Sequence, residues 1–181
     1  MNDGSNGGEV DLQRNYYKKT ADKYDDVHLS GENDEQYFAL SCLAGLTDYL
    51  KVKSILDLGS GTGRTLRYLK KTCPKIKVMG IEPVKELREI AYSNGISKEE
   101  LVEGDATKLN FKNSEFDLVC AFAILHHIKD NKTVVNEMLR VSKGAIFISD
   151  SNNFGHGSKI SRLIKQSINA LGLWKLADLI K

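Results

Sequence analysis

No stretch of the sequence keeps up an apolar run of about 18 residues, the length a membrane-spanning helix needs. The opening residues, MNDGSNGGEV, lack the apolar core of a secretion signal, and residues 1–9 read as a disordered, Gly-rich leader. Cysteine is scarce. Cys42, Cys73 and Cys120 lie far apart, with no CxxC pair and no metal-ligand spacing. That argues against a disulfide framework or a metal site and reads as reduced thiols in a cytoplasmic protein. An excess of one charge is missing too: 26 basic residues stand against 24 acidic ones, a formal net charge of +2. Such a balance does not by itself point to nucleic acid. Nor is there a basic run or an interleaving of aromatic and basic residues of the kind RNA binding uses.

What is present is an ordinary soluble mixture, 41% apolar and 28% charged, in 181 residues. That length suits one domain with a sizeable core. Residues 10–50 read as N-terminal helices. The first, over about 10–25, is polar and Tyr-rich. In the second, about 34–50, Phe38, Cys42, Leu46, Tyr49 and Leu50 recur at helical spacing. Then the rhythm changes. KSILDLGS is a short apolar run ending in glycine and reads as a strand. GRTLRYLKKTC follows as a helix that stops before Pro74. IKVMGIE is a second strand, and VKELREIAYSNG a helix closed by Gly95. EELVEGDA holds a third strand and FDLVCAFA a fourth. NKTVVNEMLRVSKG is a helix with Asp130 at its cap, and AIFISDS is a fifth strand. Strands alternating with helices predict an α/β fold, a doubly wound, mostly parallel sheet over residues 51–151 with helices on both faces. Residues 152–181 read as a C-terminal helical segment.

In such sheets a ligand lies beyond the carboxyl ends of the strands. Strand one ends in Asp57-Leu58-Gly59-Ser60-Gly61-Thr62-Gly63, strand two in Glu82, strand three in Asp105-Ala106. Strand four ends near Ala121-Phe122-Ala123, just before His126-His127, and strand five at Asp150. Glycines at every second position let a ligand approach backbone N–H groups at a helix start. Glu82, 23 residues after Gly59, has the place of a carboxylate that accepts both ribose hydroxyls. The spacing is G-x-G-x-G, where a dinucleotide fingerprint is G-x-G-x-x-G. These features predict a nucleoside ligand.

Residues 53–150 resemble a class I S-adenosylmethionine-dependent methyltransferase. Asp57 to Gly63 matches that family's first motif, [DE]-x-G-x-G-x-G. GIEP resembles its second-strand acid motif, EGDATKLNF its third-strand motif, and FDLVCAFAILHHIKD its fourth strand and following loop. The resemblance implies a Rossmann-like fold and S-adenosylmethionine as cofactor, with S-adenosylhomocysteine as product. It also implies roles. Gly59, Gly61 and Gly63 would admit the methionine half. Asp57 would orient the loop and favour the ammonium and sulfonium. Pro83 would lie against adenine or ribose. Asp105 and the Ala106 N–H would bond the adenine, and backbone at Ala121 and Phe122 would flank the methionine end. Among Tyr16, Tyr17 and Tyr24, Tyr17 and Tyr24 are candidates for a cap over the cofactor, with ring packing as the competing reading. His126 and His127 are candidate general bases, though methyl transfer to a good nucleophile needs mainly alignment and a dry pocket. Asp150 and Ser151 face either substrate or a simple turn.

The leading reading is methyl transfer to an oxygen, nitrogen or carbon of a small molecule. Strand four lacks the Asn-Pro-Pro-Tyr type of ending that the family uses on amino groups of bases and glutamine. Two other readings stand beside it: a non-catalytic regulator or assembly partner that binds the same cofactor, and a nicotinamide-dependent oxidoreductase. The sequence departs from the family pattern in two places. RVSKGAIF carries one glycine where KPGG is usual, and after Asp150 only helical pattern follows, so the closing strands are expected to be absent. In the C-terminal stretch Ile160, Leu163, Ile164, Ile168 and Leu171 recur with Lys159, Arg162 and Lys165 between them. It reads as a sheet cover, a substrate lid or partner surface, or a contact with anionic membrane. Gly172 should break it into two helices. The acceptor and the oligomeric state carry no signature.

Overall fold

The computed structural model describes residues 35–150 and 159–173. The expected helix over 10–25, Tyr16, Tyr17, Tyr24, Ser151 and any helix after Gly172 lie outside them. The chain divides into two compact units between Ser149 and Asp150.

In the first unit, α1 (Glu35–Tyr49) precedes β1 (Ser54–Leu58), α2 (Arg64–Thr72), β2 (Lys77–Ile81), α3 (Lys85–Ser93), β3 (Leu101–Val102), β4 (Phe116–Phe122), α4 (Asn131–Val141) and β5 (Ser142–Ser149). The five strands form one sheet in the order β3-β2-β1-β4-β5, every pairing parallel. Chain order reverses at β1: β2 lies on one side of it and β4 on the other. That is where a doubly wound sheet opens a crevice at its carboxyl end.

The sheet separates two cores because alternate residues of a strand point to opposite faces. Ile55, Leu118, Cys120 and Phe122 pack on one face with Leu40 and Leu43 of α1 and Leu66 and Leu69 of α2. Leu56, Leu58, Val119 and Ala121 pack on the other with Val134, Met138 and Val141 of α4. Leu66 has no exposed surface, so its truncation to Ala would cost about 2–5 kcal/mol through lost burial and the cavity left.

Local signals account for most element ends. Asp130 caps α4 by accepting from the Thr133 N–H at 3.0 Å. Gly95, at φ +87°, ends α3 in a Schellman motif: its N–H donates to the Tyr92 carbonyl and that of Ile96 to Ala91. Three details differ from expectation. The third strand is only two residues long. Helix α4 stops at Val141, and residues 142–144, expected in the helix, instead open β5: Ser142 pairs with Phe116, and the register shifts before Ala145 pairs with Leu118. On α1 the buried residues are Ala39, Leu40, Leu43 and Thr47, whereas Phe38 and Tyr49 are 73% and 83% exposed. The aromatic stripe of that helix is therefore not its core face.

The second unit holds one described helix, α5 (Lys159–Ala170). Gly172 ends it at φ +66°, donating to Asn169, while the Leu173 N–H donates to Ile168. Among the described residues no helix is long and apolar enough to cross a membrane.

Candidate functional site

Strand β1 ends in a turn of three left-handed glycines, Gly59 at φ +66°, Gly61 at +55° and Gly63 at +79°. Such angles strain any residue with a Cβ. Gly59 has a second reason to lack a side chain. A Cβ there would come within 2.5 Å of Ile124 Cγ2, a side chain of the loop after β4. Gly63 leads directly into α2, so the loop delivers a helix N-terminus to the crevice. Gly80 of β2 admits the Ser60 side chain, which a Cβ there would displace.

Asp57 lies one residue before the end of β1 and is 1% exposed. Its Oδ1 accepts from the Cys120 thiol at 3.5 Å, whereas its Oδ2 is buried without a hydrogen-bond partner among the described residues. Burial pushes its pKa up to about 7; the Ser60 hydroxyl, the Cys120 thiol and Arg64 pull it down, and Glu82 adds to the rise.

Glu82 follows β2 and is also buried. Its Oε2 accepts from the Gly61 N–H at 3.0 Å and its Oε1 from the Val84 N–H at 2.9 Å. One carboxylate thus ties the glycine turn to the start of α3. Arg88 braces this corner: it donates to the Glu82 carbonyl at 2.6 Å and to Glu103 at 2.8 Å. Pro83 is half-buried beside Glu82.

Asp105 is exposed beyond β3. Its Oδ1 accepts from both the N–H and the hydroxyl of Thr107, at 2.8 and 2.7 Å, in a small Asx turn. Ala106 is half-buried against the α4-side core. Ala121 and Phe122 are buried at the end of β4. The next residue, Ala123, takes φ +55°, uncommon for a residue with a side chain, and donates its N–H to Ser149 at 2.8 Å.

His126 and His127 occupy a 3₁₀ turn (Leu125–His127), exposed, with ring centroids 3.8 Å apart. They lie outside the buried cluster formed by the β1 and β2 strand ends. Asp150 is exposed and starts the second unit.

The sheet therefore aligns the ends of β1, β2 and β4 side by side. Two buried carboxylates and a turn of left-handed glycines occupy that edge, and one carboxylate oxygen there lacks a donor. The residues fit a ligand with a cationic group for Asp57 and vicinal hydroxyls for Glu82. Sequence reasoning missed Cys120 as a member of this group. The signal was there: aligning the ends of two adjacent parallel strands sets Cys120 opposite Asp57. It also missed Ile124, the side chain that bounds Gly59.

The family described as a methyltransferase domain matches residues 56–148. Demethylmenaquinone methyltransferase of Thermotoga maritima is 31% identical over 91 residues, 50% of this chain and 39% of that protein. Norajmaline N-methyltransferase of Rauvolfia serpentina is 34% identical over 97 residues, 51% of this chain and 33% of that protein. The chain thus spans between a third and two fifths of the length of these two curated relatives. The crystal structure of the YcgJ protein of Bacillus subtilis superposes with a TM-score of 0.56 at 26% identity, covering 63% of this chain and 50% of that one. The plantazolicin methyltransferase BpumL, solved in complex with a pentazolic desmethylPZN analogue and SAH, reaches a TM-score of 0.61 at 20% identity, covering 86% of this chain and 67% of that one, a likeness of fold.

Proposed function

The chain belongs to the methyltransferase-domain family, and from that premise we propose that it transfers a methyl group from S-adenosylmethionine to an oxygen, nitrogen or carbon of a small-molecule acceptor. The observation that carries the reading is the buried Asp57 Oδ2, unpartnered beside three left-handed glycines. A buried carboxylate oxygen without a donor is costly, and a cationic ligand group would relieve it. The small-molecule preference is supported by the relatives named for demethylmenaquinone and norajmaline.

In this reading the bound cofactor supplies a methyl group made electrophilic by its sulfonium. Asp57 would receive the ammonium, and the glycine turn would admit the methionine chain against the backbone. Glu82 would accept the ribose hydroxyls, its carboxylate held in place by the Gly61 and Val84 N–H groups. Pro83 would lie against the nucleoside, Asp105 and the Ala106 N–H would bond the adenine, and backbone at Ala121 and Phe122 would border the methionine end. The chain contributes alignment and exclusion of water. No step needs His126 or His127 as a base, and their exposed turn supports a role outside the chemistry.

Calorimetric titration of the chain with S-adenosylmethionine and S-adenosylhomocysteine, with NAD as control, tests the cofactor reading. Micromolar binding of the first two and none of NAD is expected. Preference for NAD, or no binding of either sulfur nucleoside, would overturn it. Release of S-adenosylhomocysteine on addition of the small-molecule fraction of a cell extract then tests the transfer.

A further inference from the structure

Cys120 and Asp57 are register partners on adjacent strands, 63 residues apart in the chain. Both side chains point to the same face of the sheet and both are fully enclosed. Burial and the neighbouring Asp57 push the Cys120 thiol well above its ordinary value, so it keeps its proton and acts as a donor. That donor goes to Asp57 Oδ1 at 3.5 Å.

The groups that act on Asp57 come from four elements. They are Ser60 in the glycine turn, Cys120 on β4, Glu82 after β2, and Arg64 in the first turn of α2. The Ser60 hydroxyl donates to the Asp57 main-chain carbonyl, and the Gly61 N–H is taken by Glu82. Among the described residues Oδ2 receives no donor. The carboxylate is thus held on one oxygen and left open on the other.

We propose that Cys120 is a positioning residue for the ligand pocket: its S–H holds Asp57 Oδ1, so that Oδ2 is the oxygen left to take the ammonium of the bound amino-acid nucleoside. The ammonium half of this proposal rests on the cofactor reading above. A thiol donor favours the ionised carboxylate, and so does a cationic ligand. Losing the thiol should therefore move Asp57 titration upward, whereas losing mere packing should not.

The test is calorimetric binding of S-adenosylhomocysteine to the full chain between pH 5.5 and 8.5, in wild type, Cys120→Ala and Cys120→Ser. Wild-type affinity should rise with pH through neutrality as Asp57 ionises. In Cys120→Ala the midpoint should move up by roughly half a unit to one unit, the worth of one hydrogen bond. Cys120→Ser, which restores a donor, should return it toward wild type. Superimposed profiles for wild type and Cys120→Ala would overturn the proposal, even if affinity falls equally at every pH. Should wild type bind no S-adenosylhomocysteine at any pH, the cofactor reading and the ammonium half fall together. The Cys120–Asp57 bond is then decided by thermal unfolding of the ligand-free chain against pH. Cys120→Ala should extend the pH-dependent loss of stability to higher pH, and coincident curves would overturn the bond as well.

Discussion

The two ends of the sheet carry the same kinds of residue to opposite effect. At the amino end, Asp117 of β4 is fully engaged. Its Oδ2 accepts from the N–H groups of Lys53 and Ser54 at 2.8 and 3.0 Å, and its Oδ1 from Lys143 of β5 at 2.9 Å. The Lys143 hydrogen bond leads in holding its carboxyl below the ordinary range. At the carboxyl end, burial pushes Asp57 of β1 up to about 7, and its Oδ1 takes the Cys120 thiol. The glycines divide the same way. Gly95, which turns the chain back toward the amino end, has nothing among the described residues within 4 Å of where a Cβ would stand, whereas Gly59 at the carboxyl end faces Ile124 at 2.5 Å. One aspartate clips three strands together. The other withholds an acceptor from the fold, which is how a fold leaves room for a ligand.

The largest expected effect is on ligand affinity. Glu82→Ala should weaken S-adenosylhomocysteine binding at least about 100-fold by calorimetry, since a bidentate acceptor and the anchor of Gly61 go together. Near wild-type affinity would break the assignment of the carboxyl end as the binding edge.

Next is a pair of opposite signs. Asp57 is protonated more readily folded than unfolded. Its contribution to stability is complete below its ordinary value of 3.8 and is lost as pH rises to about 7. A rise of that size corresponds to a penalty on the order of 4 kcal/mol above neutrality. Asp57→Asn should therefore gain stability relative to wild type as pH goes from 5 to 8, by about 3 kcal/mol in denaturant unfolding. Asp117 is depressed instead. Its contribution is present above 3.8 and lost as pH falls through its folded value. Asp117→Ala should cost about 1–3 kcal/mol at pH 7, through backbone donors left unpaired, and less at pH 3. Shifts of the same sign in the two variants would erase the contrast between the ends.

The smallest effect sharpens the comparison of glycines. Gly95→Ala meets only the strain of a positive φ, about 1 kcal/mol. Gly59→Ala adds an overlap with Ile124 and should lower the melting temperature further. Equal melting temperatures would show that Ile124 yields freely.

Much of this was readable in the chain. Strand-helix alternation, the Asp130 cap and the Gly95 stop are local signals, and each lies where its residues put it. The placement of the glycine turn after β1 and of Glu82 after β2 was legible because it depends on spacing along the chain. What escaped depends on neighbours distant in sequence. Asp57 meets Cys120 across 63 residues and Asp117 meets Lys53 across 64. No window of sequence contains either pair; only the parallel register creates them. The aromatic stripe of α1 escaped for a related reason. Helical spacing shows that Phe38 and Tyr49 share a side, but the side that faces the sheet is chosen by the smaller Leu40 and Leu43.

The reversal of strand order at β1 also makes the molecule divisible. The first half of the described chain supplies β3, β2 and β1, the second half β4 and β5, and one seam of parallel pairing joins them. A cut in the exposed turn at Lys112–Ser114 would put Asp57 and Glu82 on one fragment and Cys120 on the other. Complementation of two such pieces would bring these three side chains together only on reassembly, a ready-made frame for a split reporter.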